Sequence, residues 1–249
     1  MTDSIYSIRL DQSLVSTFSE LSMSAFIVDD IVPDRVKSWL NGASDVGVGA
    51  FLDDLPAFTS ETLSQVPLVS MWREAYRQQG LKPSQYRSSP EALAKSALNG
   101  RDLTTPIHLV NLYNQFSLGY LSPLGGYDTA RLSGTDIVLR KAAPDTDHFK
   151  PLGGQASKMP LTPDIAVYAD GDEVICWAFN HRDSAKTCLK EDTTNAIFCT
   201  ESIRREHHHS SIGALNALRD TLSKIECSVG TIATVNADTQ SAPLPSPSQ

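Results

Sequence analysis

Asn180-His181-Arg182-Asp183-Ser184 follows directly on Val174–Phe179, an unbroken apolar run. An amide, an imidazole, a guanidinium and a carboxylate leaving a buried strand together need partners, because burying them unpaired is costly. The chemistry open to such a set is hydrogen bonding and proton transfer. A satisfied hairpin in which Arg182 pairs with Asp183 accounts for the same residues equally well. Asn114 is a second amide in an apolar neighbourhood, directly after Leu112-Tyr113. In Pro123-Leu124-Gly125-Gly126-Tyr127-Asp128, two glycines permit a positive φ or a close backbone approach.

Other chemistries find little support. The chain contains no GxSxG, GxxxxGK[ST], HExxH or CxxC pattern. His207-His208-His209 invites a metal reading, but three consecutive side chains point in different directions and cannot all ligate one ion. They read instead as an exposed linker after Arg204-Arg205-Glu206. Cys176, Cys188 and Cys199 lack metal-ligand spacing, and Cys176 and Cys199 sit in apolar runs where a thiol serves as a small hydrophobe. No metal or cofactor is expected.

The elements that must hold these residues can be read from periodicity. Residues 5–31 carry one or two strands, and Asp34 caps a short helix through Val36, Trp39 and Leu40 that stops at Asn41-Gly42. The glycine-rich stretch 42–50 reads as a loop. Helical spacing runs from Thr62 to Gln79, with Leu68, Trp72, Ala75 and Tyr76 on one face and Gly80 as the stop. Arg73 and Arg77 project together from another face. The next helix starts at Ser89-Pro90, with Ser89 as N-cap, and ends at Asn99-Gly100. Strands are expected at Ile107–Val110, Ile137–Leu139, Ile165–Tyr168, Val174–Phe179 and Ala196–Cys199, and a closing helix runs from Ile212 to Ile225. From Gly230 the composition of Thr, Ala, Ser and Pro reads as a disordered tail over 230–249. Helices, then strands, then a last helix point to an α+β fold.

The bulk numbers bound the class. A 249-residue chain with 41% hydrophobic and 20% charged residues is ordinary for a globular protein. No apolar run approaches the roughly 20 residues of a membrane helix, no secretory signal opens the chain, and four cysteines do not make a disulfide scaffold. A cytoplasmic protein without membrane association is the expectation. The net charge of −8 argues against nonspecific coating of nucleic acid. The charge is uneven, however. Residues 1–71 carry −7, whereas residues 72–101 carry +4 from Arg73, Arg77, Lys82, Arg87, Lys95 and Arg101 against Glu74 and Glu91. Such a sector reads either as a solvated helix face or as a local grip on a polyanion.

Several segments occur together in a recognisable order: Trp72-Arg73-Glu74-Ala75-Tyr76, Lys82-Pro83-Ser84, Ser88–Leu93, Val110–Asn114 with Ser117-Leu118, Pro123–Asp128 and Asn180–Ser184. Over about residues 65–225 the chain resembles the stand-alone proteins carrying the B3/B4 domain, named from the phenylalanyl-tRNA synthetase beta subunit. The resemblance implies a B3/B4-like mixed sheet with flanking helices over 65–229; the strands and short helix of residues 1–64, outside the resemblance, are expected to pack on the same core. In the synthetase this domain hydrolyses tyrosine wrongly attached to the phenylalanine tRNA. The resemblance therefore implies an aminoacyl-tRNA deacylase, or a non-catalytic carrier of aminoacyl-tRNA, whose ligand is the tRNA 3′ end. A synthetase or biosynthetic enzyme would be the protein partner. By the same resemblance Asn114, Gly125, Gly126, Asn180 and His181 are expected at the ester. Tyr113, Asp183 and Glu201 are expected to contact substrate, and the six cations of 72–101 to contact tRNA. Gly125 stands where the synthetase turn normally carries a histidine, a gap that His181 would have to fill, and Ser96 stands where relatives carry a second base after Lys95.

Overall fold

Strand β2 (Ser22–Asp29) and strand β8 (Ala196–Ser202) are buried on both faces for nearly their whole length. A strand of that kind must lie between two apolar layers, and the computed structural model, which describes residues 6–42 and 55–247, places both strands there. One sheet runs in the order β10 (Ala233–Val235), β2, β8, β3 (Gly125–Asp128), with β9 (Ser228–Val229) also on β2. The other runs β11 (Ser241–Pro243), β1 (Ser7–Leu10), β4 (Asp136–Lys141), β5 (Ala166–Asp170), β6 (Glu173–Trp177), β7 (Arg182–Asp183). It is mixed, since β1 is parallel to β4 and the other pairs are antiparallel.

The alternation of β2 and β8 divides the interior. Met23, Ala25, Ile27, Ile197 and Cys199 join the core between the two sheets, together with Leu139, Val167 and Ile175. Phe26, Val28, Ala196 and Phe198 face a second core under α2 (Pro33–Gly42), α5 (His108–Gly119) and α6 (His208–Lys224). The layers are therefore sheet, sheet and helices. Helix α3 (Pro67–Gln78) pushes Trp72, Ala75 and Tyr76 into the inter-sheet core, and α4 (Ser89–Leu98) joins it to α5 through a third cluster around Val69, Ala94 and Leu118.

Several elements differ from the expectation. Ile107–Val110 is not a strand but the start of α5, because Leu109, Leu112, Tyr113 and Phe116 recur at helical spacing and are all buried. The helix expected from Thr62 is a 3-10 turn over Thr62–Gln65, and α3 begins at Pro67, whose fixed φ suits a first helical position. The cap of α4 is Ser88 rather than Ser89, and its hydroxyl makes no capping bond. His208 and His209 open α6 instead of lying in a linker, and His208 Nδ1 sits 2.9 Å from Ser22 Oγ. The expected disordered tail over 230–249 is instead strand over 233–235 and 241–243, with Val235 and Leu244 fully buried. A few apolar side chains inserted at the sheet edges outweigh the polar composition there. Residues 43–50 of the expected glycine-rich loop lie outside the described residues.

Candidate functional site

The site is built at the end of the inter-sheet core, where β6 turns into β7. The apolar run does not stay a strand to Phe179. Ala178 and Phe179 adopt φ of 52° and 60°, the left-handed region that side chains with a Cβ avoid. They open the four-residue turn between the paired Trp177 and Arg182, at positions glycine usually fills. Here the strain is offset by burial. The Phe179 ring packs edge-on against Phe18 and Trp72, each with centroids 5.4 Å away. Tyr76 locks the turn further by donating to the Ala178 carbonyl at 2.9 Å. Backbone strain held by surrounding structure is common where a site must be aimed.

This turn delivers Asn180, His181, Arg182 and Asp183 to the wall of a cavity of about 290 Å³. Register explains the rest of the lining. Tyr168 pairs with Cys176, and Cys176 with Asp183, so these three form one cross-strand row. The opposite sheet contributes Cys199 and Glu201, two apart on β8 and hence on one face. Helix α5 adds Tyr113 and Asn114, and α4 adds Ser89, Leu93 and Ser96.

Of the expected ester and substrate residues, Tyr113, Asn114, Gly125, Asn180, His181, Asp183 and Glu201 meet at this one cavity. Gly126 does not. A Cβ there would sit 2.7 Å from the Phe198 ring and 2.9 Å from Leu189, on the helix side of the sheet. Successive residues of a strand face opposite ways, so only Gly125 can open onto the cavity. Gly126→Ala is expected to cost about 1–3 kcal/mol through overpacking, read as a lowered urea midpoint with an unchanged slope.

The electrostatics of the cavity are those of an acidic site whose carboxyl groups are buried. Burial, with the neighbouring Asp183 charge, pushes the Glu201 carboxyl up to about 7, although hydrogen bonds from Tyr168 and Asn180 hold it lower than burial alone would. Asp183 is also raised by burial, which the Cys176 thiol and the Arg182 charge oppose. Asp183 and Arg182 do not form the ion pair that is one of the readings open in the sequence, since Arg182 Nη1 reaches the Leu152 carbonyl at 3.3 Å. Burial pushes the Cys176 and Cys199 thiols well above their ordinary range, which rules them out as thiolate nucleophiles at neutral pH. His181 is lowered by burial and by the Arg182 and Arg87 charges, so it is a neutral ring. Its Nδ1 lies 2.8 Å from the Arg87 carbonyl oxygen.

The basic sector is divided by the fold. Arg73 is not an outward cation. Its Nη1 donates to Glu91 Oε1 at 2.6 Å, and the Glu91 side chain is 4% exposed. Arg87 donates to the Ser84 carbonyl and lies 3.8 Å from Glu91. Arg77 is exposed beside Glu74, at 2.8 Å, and Lys82 and Arg101 are exposed with Lys95 half-buried. Arg73 and Arg77 therefore do not act as one pair.

The profile of the B3/4 domain family matches residues 71–224. The chain belongs to the B3/4 domain family. The match runs from α3 to the end of α6 and contains every residue of the cavity wall. Strands β1, β2, β10 and β11 lie outside it, yet β1 and β2 pair directly with β4 and β8 of the B3/4 domain, and β11 and β10 extend the sheets beyond them. Among solved structures the chain is similar to an N-terminal fragment of the phenylalanyl-tRNA synthetase beta-subunit from Pyrococcus horikoshii, with 12% identity over 53% of this chain and a TM-score of 0.40. The likeness covers 47% of that fragment, about half its length. No curated protein matches the chain. Among the described residues, no helix of this B3/4 protein is long and apolar enough to cross a membrane.

Tyr127, Tyr168, Cys176 and Cys199 are among the wall residues that the sequence does not mark as site residues. The cysteines read as small hydrophobes, which their burial matches. What the sequence lacks is the pairing register that sets Tyr168 and Cys176 in line with Asp183.

Proposed function

We propose that this chain is an aminoacyl-tRNA deacylase, hydrolysing the ester that joins a wrong or non-protein amino acid to the tRNA 3′ end. What carries the reading is the meeting of an uncommitted amide, Asn114, and a side-chain-free strand position, Gly125, with two carboxyl groups in one B3/4-domain cavity. An aminoacyl ester beside a vicinal ribose hydroxyl is already activated. The protein needs to orient the ester, place a water and stabilise the developing oxyanion. Asn114 is the donor suited to the oxyanion, since its side chain makes no hydrogen bond among the described residues. The carboxyl groups receive protons, and Leu93, Leu124 and Phe179 give the cavity apolar walls.

The deciding measurement is loss of label from a panel of cognate and mischarged aminoacyl-tRNAs at low salt. Selective loss supports the deacylase and names its substrate. Esters that are bound but stay intact would mean a carrier instead.

The tRNA grip is assigned to the exposed cations Arg77, Lys82 and Arg101 with Lys95, and not to Arg73. The double variant Lys82→Glu, Arg101→Glu is expected to weaken binding. It should also flatten the plot of log affinity against log salt by roughly 0.7–0.9 for each lost phosphate contact. Fluorescence anisotropy between 50 and 200 mM salt tests this, and an unchanged slope would place the footprint elsewhere.

A further inference from the structure

Asn180 was expected at the ester, but its side chain is already committed. Its Oδ1 accepts from the Ser89 backbone N–H at 3.0 Å and lies 3.3 Å from the Tyr76 oxygen, whose proton goes to the Ala178 carbonyl. A backbone N–H can only donate, so this contact fixes which end of the amide is oxygen. Its Nδ2 then donates to Glu201 Oε1 at 2.6 Å, while Tyr168 donates to Glu201 Oε2, also at 2.6 Å. Both donors reach Glu201 from the opposite sheet and its turn. Each carboxylate oxygen keeps one lone pair, and Glu201 lines the cavity although it is 3% exposed.

We infer that Glu201 is the proton acceptor of the reaction, and that Asn180 and Tyr168 are positioning residues that hold it ionised and aimed at the cavity. This rests on the hydrolytic reading above and differs from the expected role of Glu201 as a substrate contact. A water held by Glu201 gives up a proton to the carboxylate as its oxygen bonds to the acyl carbon. The carbonyl π pair moves to the oxygen, where Asn114 can donate. On collapse the bond from the acyl carbon to the ribose oxygen breaks, and the proton on Glu201 passes to that leaving oxygen. Free amino acid and tRNA result, and Glu201 is regenerated as the carboxylate.

The groups facing Glu201 suit this role. Asp183 from β7 opposes its ionisation, and burial does so more strongly, while Tyr168 and Asn180 favour it. Cys176, Cys199 and Tyr76 are held neutral by burial. The outcome is a carboxyl that titrates at about 7, within the range where it can both take and return a proton.

The test is the pH profile of kcat/KM for deacylation, corrected for spontaneous hydrolysis, in the wild type, Glu201→Gln and Tyr168→Phe. The wild type should rise through a limb near 7. Glu201→Gln should fall by about 10²-fold or more and lose the limb. Tyr168→Phe removes one hydroxyl without touching the turn that Asn180 holds, so its effect is read in a folded protein. Losing a bond to the ionised form raises the carboxyl, so the Tyr168→Phe limb should move to higher pH. Each unit of movement is about a tenfold loss below the limb, with recovery above it. If Glu201→Gln keeps the wild-type rate but changes the preference among esters, Glu201 reads a side chain and only the inference fails. A Tyr168→Phe rate lowered equally at every pH, with the limb unmoved, would make that hydroxyl merely structural and overturn its positioning role. A wild-type protein that hydrolyses no ester removes both the inference and the deacylase reading.

Discussion

Replacing Arg73 by methionine should lower the folding stability at neutral pH by about 3–5 kcal/mol, more than most single substitutions do. The reason lies in Glu91, whose carboxylate is almost wholly buried and takes its short hydrogen bond from Arg73. Burial raises the Glu91 carboxyl, and the Arg73 charge and hydrogen bond oppose that rise. Without Arg73 the carboxylate keeps its desolvation cost and loses its main compensation, with Arg87 at 3.8 Å as the nearest remaining cation. The pH dependence gives the prediction its sign. A carboxyl whose folded pKa lies above its unfolded value binds a proton more tightly when folded, so its ionisation erodes stability as pH rises between the two values. The deficit of Arg73→Met should therefore shrink as pH falls through the folded pKa of Glu91. Urea melts at pH 7.5 and at pH 5 would check it, and the double variant Arg73→Met, Glu91→Gln should recover much of the loss at neutral pH. Equal deficits at both pH values would mean that Arg73 contributes packing rather than charge compensation.

The same pair shows how far the sequence could be read. Periodicity located α3 and α4 well enough, because a buried stripe at three- and four-residue spacing is a strong local signal. It put Arg73 and Arg77 on a common outward face, since they are four apart. What turned Arg73 inward is Glu91 on the next helix, a tertiary contact across 18 residues. Strands that are apolar on both faces were legible as runs, but their pairing register was not. The Tyr168, Cys176 and Asp183 row therefore remained hidden although two of its members had been noticed separately. The α5 error has a different cause. A four-residue apolar run such as Ile107–Val110 fits either period, and only the following turns of buried residues decide for helix. Polar composition misled at 230–249, where a few buried side chains on the sheet edges determine the structure. The convergence of Asn114, Gly125, Asn180 and Glu201 was readable only through the resemblance. They come from four elements with no sequence spacing in common.

Gly125 links the fold to the chemistry, and Gly125→Val is expected to fold with a loss of about 1–3 kcal/mol while lowering kcat/KM for deacylation by about 10²-fold or more. Gly125 pairs with Cys199 on the cavity side of β3. Its φ is not in the left-handed region, so a β-branched residue meets no backbone barrier there. The obstacle is space. A Cβ would lie 3.2 Å from the Tyr127 hydroxyl oxygen and 3.4 Å from Cys199 Sγ, close enough that both must give slightly. The further methyl groups of valine would project into a cavity of only about 290 Å³. An acyl group displaced by even 1 Å loses its alignment with both Asn114 and the Glu201-held water. Gly125→Ala should sit between the two, with a smaller loss, because a single methyl fills less of the site. The graded series separates cavity volume from backbone freedom. If alanine were as damaging as valine, the requirement at 125 would be for glycine itself. If valine were harmless, the ester would bind outside this cavity, and the roles given to Asn114 and Glu201 would fall with it.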